Sequence, residues 1–244
     1  MSTSESLIAH LIELRSRLLN SAKALLLVFL GLFHWSSDLY GLLAHPLLAK
    51  LPQGGQMIAT DVTTPFFVPL KVTMMAAFLI TLPYILYQGW RFIAPGLYAH
   101  EKKLVLPLIV ASTLLFFCGM AFAYFVVFPV VFGFIVASAP HGVAVMTDID
   151  KYLSFVLGMF MAFGMTFQVP VIVVVLVRMG VVTVAKLREI RPYVFVGAFV
   201  VGAIFTPPDV VSQFMLAIPL WLLYEAGILV SAWVTPKKKI TSEA

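Results

Sequence analysis

The chain has 244 residues, of which 61% are hydrophobic and only 11% are charged, and its mean hydropathy is +1.03. This composition excludes an ordinary soluble globular domain and predicts a protein embedded in a lipid bilayer. Cys118 is the only cysteine, which excludes a disulfide framework and a cysteine-ligated metal site, and a formal net charge of +5 is not by itself evidence of nucleic-acid binding.

Apolar runs along the chain predict six membrane-spanning helices, because one crossing takes about 20 residues. The sequence therefore predicts an all-α integral membrane protein, with one polytopic domain over residues 1–244. Its predicted spans are residues 20–35, 66–90, 104–137, 152–177, 193–206 and 210–234.

Two of these spans have unusual lengths. The third, residues 104–137, is too long for one upright crossing and too short for two, so we expect a tilted or kinked helix with a bend or exit at Pro129. The fifth offers about 14 residues, which reach about 21 Å of a hydrocarbon core of about 30 Å. Pro207, Pro208 and Asp209 separate it from the sixth span and predict a tight hairpin, whose tip lies within the outer leaflet or thins the bilayer locally.

The distribution of Lys and Arg residues predicts the orientation of the spans. An even number of crossings returns both termini to one side, and 13 of the 16 Lys and Arg residues then fall on that side. The other side holds Lys50, Lys71 and Lys151. Since cytoplasmic loops carry the excess of Lys and Arg, both termini are predicted to be cytoplasmic. The positive net charge is then a consequence of topology.

The residues before the first span predict an amphipathic helix on the cytoplasmic surface of the membrane. Its apolar residues repeat at spacings of four and three, at Leu7, Leu11, Leu14 and Leu18. Glu13 and Arg17 lie four residues apart on the other side. One interpretation is an i, i+4 ion pair on a membrane anchor, worth about 0.2–0.5 kcal/mol. The other is that Glu13, a carboxylate among Lys and Arg residues, binds something positively charged.

A second acidic residue, Glu101, follows the loop between spans two and three. Pro95 and Gly96 predict a turn in this loop. Apolar and aromatic surface at the membrane interface is expected from Phe92, Leu97 and Tyr98. Glu101 is either a first-turn acid stabilised by the helix dipole, at about 0.3–1 kcal/mol, or part of the same cation-binding surface as Glu13.

Gln168 and Glu225 are polar residues inside predicted spans. Gln168 is expected near the middle of the fourth span, where it either hydrogen-bonds a neighbouring helix or contacts a polar partner helix. Glu225 is an intramembrane acid unless it lies near the cytoplasmic interface. A transporter or channel would use Gln168, Glu225 and Lys71 to line a site at mid-membrane, but the chain lacks the internal repeats typical of transporters.

The sequence contains no G-x-x-x-x-G-K, H-E-x-x-H or G-x-S-x-G motif, and its five histidines are scattered over both predicted sides. We therefore expect no enzymatic activity, no cofactor and no metal site. Energy for transport must then come from outside the chain, for example from the membrane potential at about 2.3 kcal/mol per charge per 100 mV.

Four separated segments resemble the TatC family, the multispanning core of the twin-arginine protein translocase. They are residues 10–15 (HLIELR), the loop 92–101, residues 191–193 (RPY) and residues 206–209 (TPPD). The resemblance extends over nearly the whole chain. It implies a multi-pass protein of the bacterial cytoplasmic membrane that acts as the receptor for signal peptides with two consecutive arginines, carried by folded precursor proteins.

The resemblance also implies where signal peptides bind. The expected cytoplasmic site comprises Glu13, Arg15, Phe92, Leu97, Tyr98 and Glu101. A guanidinium pairs bidentately with a carboxylate, whereas the Lys ammonium is a point charge, so two placed Glu residues can select Arg over Lys. Selection requires a partly desolvated pocket, because an exposed ion pair contributes only about 0–1 kcal/mol.

Assembly is the second implied activity. The single-span partners TatA and TatB are expected at Gln168, Thr206, Asp209 and Gln213, and the chain is expected to self-associate. Many family members carry a glutamate at the position of Gln168, and the amide of this chain keeps the hydrogen bonding without the charge. Pro46 and Asp61, in the extracytoplasmic loop, match family positions linked to activity, although a proline there can also simply shape a turn.

Overall fold

The structure is a computed structural model that describes residues 3–41, 57–93, 105–138, 147–206 and 209–234. It packs as two compact units, Met1–Gly164 and Met165–Ala244. Up to the boundary between the units, the elements are α1 (Thr3–Leu32), β1 (Met57–Ile58), α2 (Thr64–Ile93), α3 (Val105–Phe122), α4 (Phe128–Ala137), β2 (Thr147–Asp148) and α5 (Ile149–Thr166). After it come α6 (Val169–Arg178), α7 (Val184–Glu189), α8 (Arg191–Phe205) and α9 (Val210–Val234). The expectation of a single domain stays a prediction.

The predicted all-α membrane architecture is confirmed. In the described part of the chain, five helical stretches are long and apolar enough to cross a membrane, namely Ile8–Gly41, Thr64–Phe92, Leu106–Ile135, Ile149–Arg178 and Val210–Trp233. The shorter apolar helix α8 has 15 residues and lies where a short fifth span was predicted. The count of six crossings and the cytoplasmic position of both termini stay predictions.

The N-terminal segment differs from expectation. Instead of a separate surface helix followed by a span from residue 20 to 35, α1 is continuous from Thr3 to Leu32 and leads into a 3₁₀ turn at Phe33–Trp35. The segment contains no proline that would break it. Ser21 stays within the helix by donating its hydroxyl to the Arg17 carbonyl at 3.0 Å. The amphipathic half and the apolar half are therefore one helix.

The irregularity expected at Pro129 lies one turn earlier. Residues Ala123–Val127 form a π-helical turn between α3 and α4, and the N–H of Phe128 donates to the carbonyl of Ala123, five residues back. A proline ring clashes with the carbonyl four residues before it, here that of Phe125, which lies in this wider turn. The helix then continues through Pro129 to Ala137.

In the first unit, β1 and β2 form a short parallel pair, in which Ile58 lies opposite Asp148. The buried side chains of Val68 and Val72 on α2 pack against Leu153 on α5. Aromatic rings fill the contact between α4 and α5, where the ring centroids of Phe128 and Phe160 are 5.2 Å apart. Helix α5 thus packs against both α2 and α4.

In the second unit, α6, α7 and α9 share a core of buried side chains: Val173, Val177, Leu187, Tyr224 and Ile228. The Tyr224 hydroxyl donates to the Leu187 carbonyl at 2.8 Å. Gly227 permits a close approach of α6 to α9, because a Cβ there would lie 3.0 Å from the Cα of Pro170. The predicted fourth span, residues 152–177, is two helices, since a turn at Phe167 and Gln168 separates α5 from α6.

Candidate functional site

One face of α1 lies against the C-terminal turns of α2. Spacings of three and four residues put His10, Glu13 and Arg17 on this face. The His10 imidazole stacks on the Phe92 ring, with 4.2 Å between the ring centroids. Two turns along α1, Nη1 of Arg17 donates to Oε1 of Gln88 at 3.3 Å. Glu13 lies between these two contacts along the helix, so α2 fixes α1 on both sides of the carboxylate.

Arg17 and Glu13 form the i, i+4 ion pair that their spacing suggests. Nε of Arg17 donates to Oε1 of Glu13 at 2.9 Å, and Nη2 donates to the same oxygen. The Arg17 side chain is 16% exposed and that of Glu13 is 36% exposed. Gln88 in turn donates its amide to the Tyr84 hydroxyl at 2.7 Å. Oε2 of Glu13 accepts no hydrogen bond from the described residues, so the ion pair leaves half of the carboxylate available.

The other residues predicted for signal-peptide binding divide into two groups. Phe92 is half-buried under His10, and Arg15 is exposed on α1. The remaining three, Leu97, Tyr98 and Glu101, lie outside the described residues. The structure thus brings Glu13 and Phe92 to one face, and the role of all six residues stays a prediction.

The hairpin between α8 and α9 brings together three residues predicted for partner assembly. Thr206 ends α8, and its hydroxyl donates to the carbonyl four residues earlier at 2.8 Å. Oδ1 of Asp209 accepts the N–H of Ser212 at 2.7 Å and so caps the start of α9. The Gln213 amide donates to the Phe199 carbonyl at 3.0 Å and ties the two helices together. All three side chains shape the hairpin.

The remaining predicted residues lie elsewhere. Gln168 occupies the N-cap position of α6, and Pro170, two residues later, packs on Gly227 in the second half of α9, away from the hairpin. Asp61 precedes α2, and its Oδ1 accepts the N–H of Thr63 at 3.1 Å. Pro46 lies outside the described residues.

Asp148 connects the segment after β1 to the start of α5, a contact that the sequence patterns did not predict. Its Oδ1 accepts the N–H groups of Asp150 and Lys151 at 2.9 and 3.0 Å, which caps α5. Its Oδ2 accepts the hydroxyl and the N–H of Thr60, so one carboxylate joins the segment after β1 to the start of α5. The Thr60 hydroxyl and the N–H donors lower the pKa of Asp148 to about 2. An aspartate just before an apolar helix was the available sequence signal.

Two ion pairs account for charges that the sequence left unassigned. Nζ of Lys71 lies 2.6 Å from Oδ1 of Asp150, in the first turn of α5. In the second unit, Nη2 of Arg191 donates to Oε2 of Glu225 at 2.6 Å. Lys71 and Glu225 are therefore partnered charges within their own units. Within the described ranges, no group of three or more His, Cys, Asp or Glu side chains could hold a metal ion.

Comparison with known proteins identifies the family. The model of the family described as Sec-independent protein translocase protein (TatC) matches residues 9–219. The chain belongs to the TatC family. The TatC protein of Escherichia coli (strain K12) is 55% identical over 239 residues, which cover 98% of this chain and 93% of that protein. TatC of Azotobacter chroococcum is 54% identical over 233 residues, which cover 96% and 91%.

A solved TatC structure shares the fold. The crystal structure described as "Twin Arginine Translocase Receptor- TatC" matches with a TM-score of 0.82 and 40% identity, over 92% of this chain and 98% of that one. Membership in the TatC family, together with the apolar helices, confirms the predicted multi-pass membrane protein and its place in a Sec-independent protein translocase. The TatC relatives are named as translocase components.

Proposed function

We propose that this chain is the receptor and assembly core of a twin-arginine translocase. In this proposal the signal peptide of a folded precursor binds at the face of α1 that packs on α2, with Glu13 and Glu101 as its carboxylates. The proposal depends on the position of Glu13, which lies on α1 between two contacts to α2. Its Oε2 accepts no hydrogen bond from the described residues.

Recognition of arginine at Glu13 follows from its surroundings. A guanidinium offers parallel N–H donors to a carboxylate, and the gain is larger where water is partly excluded. Glu13 is 36% exposed, and the stacked rings of His10 and Phe92 lie one turn away. Arg15 and Arg91 are exposed cations on the same two helices, and positive charge on this surface disfavours cations that do not reach a carboxylate.

The hairpin between α8 and α9 supports the assembly part of the proposal. Apolar side chains repeat every four residues along one face of α8 and are exposed, at Val196, Val200 and Ile204. In a bilayer such a face contacts lipid or another apolar helix. Single-span partners of the TatA and TatB type would pack there, with Thr206, Asp209 and Gln213 as polar contacts, and Gln168 on α6 would form a separate polar contact away from the hairpin. Self-association of the chain belongs to the same proposal.

Peptide binding tests the receptor function. The purified chain is titrated with a twin-arginine signal peptide and with its Lys-Lys counterpart, at two salt concentrations. We expect selective binding of the Arg-Arg peptide, and a loss of about tenfold in affinity in Glu13→Gln and in Glu101→Gln, because each substitution removes one charge-assisted pair. Equal binding of both peptides, unchanged by either substitution, would refute the proposal.

Glu189→Gln is a matched control for these variants. Glu189 is an exposed carboxylate on α7, paired with Lys186 at 3.0 Å, and it belongs to neither predicted site. This variant removes the same charge as Glu13→Gln. Since an exposed ion pair contributes little, it should keep the affinity for both peptides.

A further inference from the structure

Arg17 is a largely buried cation beside the proposed signal-peptide site. Its side chain is only 16% exposed, and all three of its guanidinium nitrogens donate hydrogen bonds. Nε and Nη2 donate to Oε1 of Glu13, and Nη1 donates to Gln88 on α2. One side chain therefore joins the carboxylate of α1 to the neighbouring helix.

Arg17 contacts only one of the two carboxylate oxygens of Glu13. A carboxylate has two oxygens with about four lone-pair positions and can serve two guanidinium groups at once. Arg17 uses Oε1 of Glu13, and Oε2 accepts no hydrogen bond from the described residues. The exposed fraction of the Glu13 side chain, 36%, is more than twice that of Arg17. The guanidinium is thus the more buried partner, and the more exposed carboxylate keeps Oε2 available.

We propose that Arg17 is a positioning residue for signal-peptide recognition: it holds Oε1 of Glu13, so that Oε2 receives an arginine of the signal peptide in a fixed orientation. This inference rests on the proposed receptor function. Without Arg17 the Glu13 side chain is free to rotate, and the ligand must order it on binding. A fixed carboxylate favours the directional N–H donors of arginine over the rotating ammonium of lysine.

Arg17 stays in place when the peptide binds. Its departure from Glu13 would leave a guanidinium that is 16% exposed without its charged partner, and it would strain the hydrogen bond to Gln88. Gln88 is itself held by the Tyr84 hydroxyl at 2.7 Å. The alternative, in which Arg17 is an internal competitor that the peptide displaces, predicts the opposite effect of removing Arg17.

The test uses the full chain and the ratio of affinities for the Arg-Arg and Lys-Lys signal peptides. Arg17→Lys keeps the positive charge but loses the fork that reaches Glu13 and Gln88 together, and Arg17→Gln removes the charge. Arg188→Gln, on α7, removes an exposed positive charge outside both predicted sites and is the matched control. Thermal unfolding of each variant is recorded in parallel. A merely structural role of Arg17 would weaken both peptides alike and leave the ratio unchanged.

We expect both Arg17 variants to lower the ratio by about fivefold, through weaker binding of the Arg-Arg peptide, and Arg188→Gln to leave it unchanged. A wild-type ratio in Arg17→Lys would overturn the positioning role, and so would tighter binding of the Arg-Arg peptide to Arg17→Gln. These outcomes leave the receptor function intact if the wild type itself prefers the Arg-Arg peptide. A wild type without that preference would instead refute the receptor function, and the inference with it.

Discussion

Arg191 and Glu225 form an ion pair between α8 and α9, with 2.6 Å between Nη2 of the arginine and Oε2 of the glutamate. The two side chains differ in exposure, at 42% for Arg191 and 20% for Glu225. Oε1 of Glu225 is buried and has no hydrogen-bond partner among the described residues. Nε of Arg191 is likewise buried without a hydrogen-bond partner among the described residues, so the two residues differ in exposure, with the glutamate the more buried partner.

This asymmetry predicts unequal effects of two neutralising substitutions. Arg191→Gln leaves a largely buried carboxylate without its cation and should destabilise the protein by about 2 kcal/mol. Glu225→Gln leaves a half-exposed guanidinium, which reaches water or lipid headgroups, and should cost about 1 kcal/mol. Thermal unfolding in detergent measures both. The double variant should be less destabilised than the sum, and equal losses in the two single variants would contradict the asymmetry.

The Asp148 junction predicts a dependence of stability on acid pH. The pKa of Asp148 is about 2 in the folded protein, below its ordinary value of 3.8. Because the folded pKa is depressed, the stabilisation by the carboxylate is complete above the ordinary value and is lost as the pH falls through about 2. In Asp148→Asn the contribution is absent at every pH. The difference in unfolding temperature between wild type and variant should therefore be constant from pH 7 to pH 5 and shrink between pH 4 and pH 2.

Thr60→Val is the control for this prediction. It removes the hydroxyl that contributes most to the low pKa and leaves the carboxylate and the N–H donors of α5 in place. We expect the pKa of Asp148 to rise toward its ordinary value, so that the acid-dependent loss of stability is smaller and is complete at a higher pH than in the wild type. Identical acid profiles of Thr60→Val and wild type would show that the hydroxyl does not hold the carboxylate.

The close packing of α6 against α9 at Gly227 predicts that a larger side chain at this position destabilises the protein. A Cβ at this position would lie 3.0 Å from the Cα of Pro170 and 3.1 Å from Cβ of Val173. Gly227→Ala should therefore push α6 and α9 apart and cost about 1–2 kcal/mol. Gly197 on α8 has no atom within 4 Å of the same position, so Gly197→Ala should be neutral or stabilise by up to about 1 kcal/mol. Gly227→Ala should lower the unfolding temperature and Gly197→Ala should not, and a neutral Gly227→Ala would contradict the close packing.

Much of the membrane fold could be predicted because long apolar runs indicate membrane-spanning helices. The predicted sixth span and α9 both cover residues 210–234, and α8 lies where the short fifth span was predicted. The continuity of α1 was missed, because a change from amphipathic to apolar pattern does not by itself break a helix that lacks proline. The π-helical turn before Pro129 was not predicted, since a proline in the sequence indicates that the helix is distorted but not which turn changes its geometry.

The candidate site was predictable only where its residues are neighbours on one helix. Glu13 and Arg17 are four residues apart, so their pairing follows from helical geometry. The contact of Arg17 with Gln88 and the pair of Arg191 with Glu225 join residues 71 and 34 positions apart. Such contacts depend on which helices pack together and in which register, and neither hydropathy nor local spacing determines that.

Asp209 offers a way to separate the capping of α9 from a role of its charge in export. Oδ1 caps the helix through the Ser212 N–H at 2.7 Å, and Oδ2 is buried without a hydrogen bond from the described residues. Asn caps helices about as well as Asp, so Asp209→Asn should keep the unfolding temperature, whereas Asp209→Ala should lose about 1 kcal/mol. If the charge of Asp209 contacts the translocase partners, both variants should reduce export of a twin-arginine precursor and co-purification of TatA- and TatB-type proteins. Normal export by Asp209→Asn with impaired export by Asp209→Ala would instead assign this residue to helix capping alone.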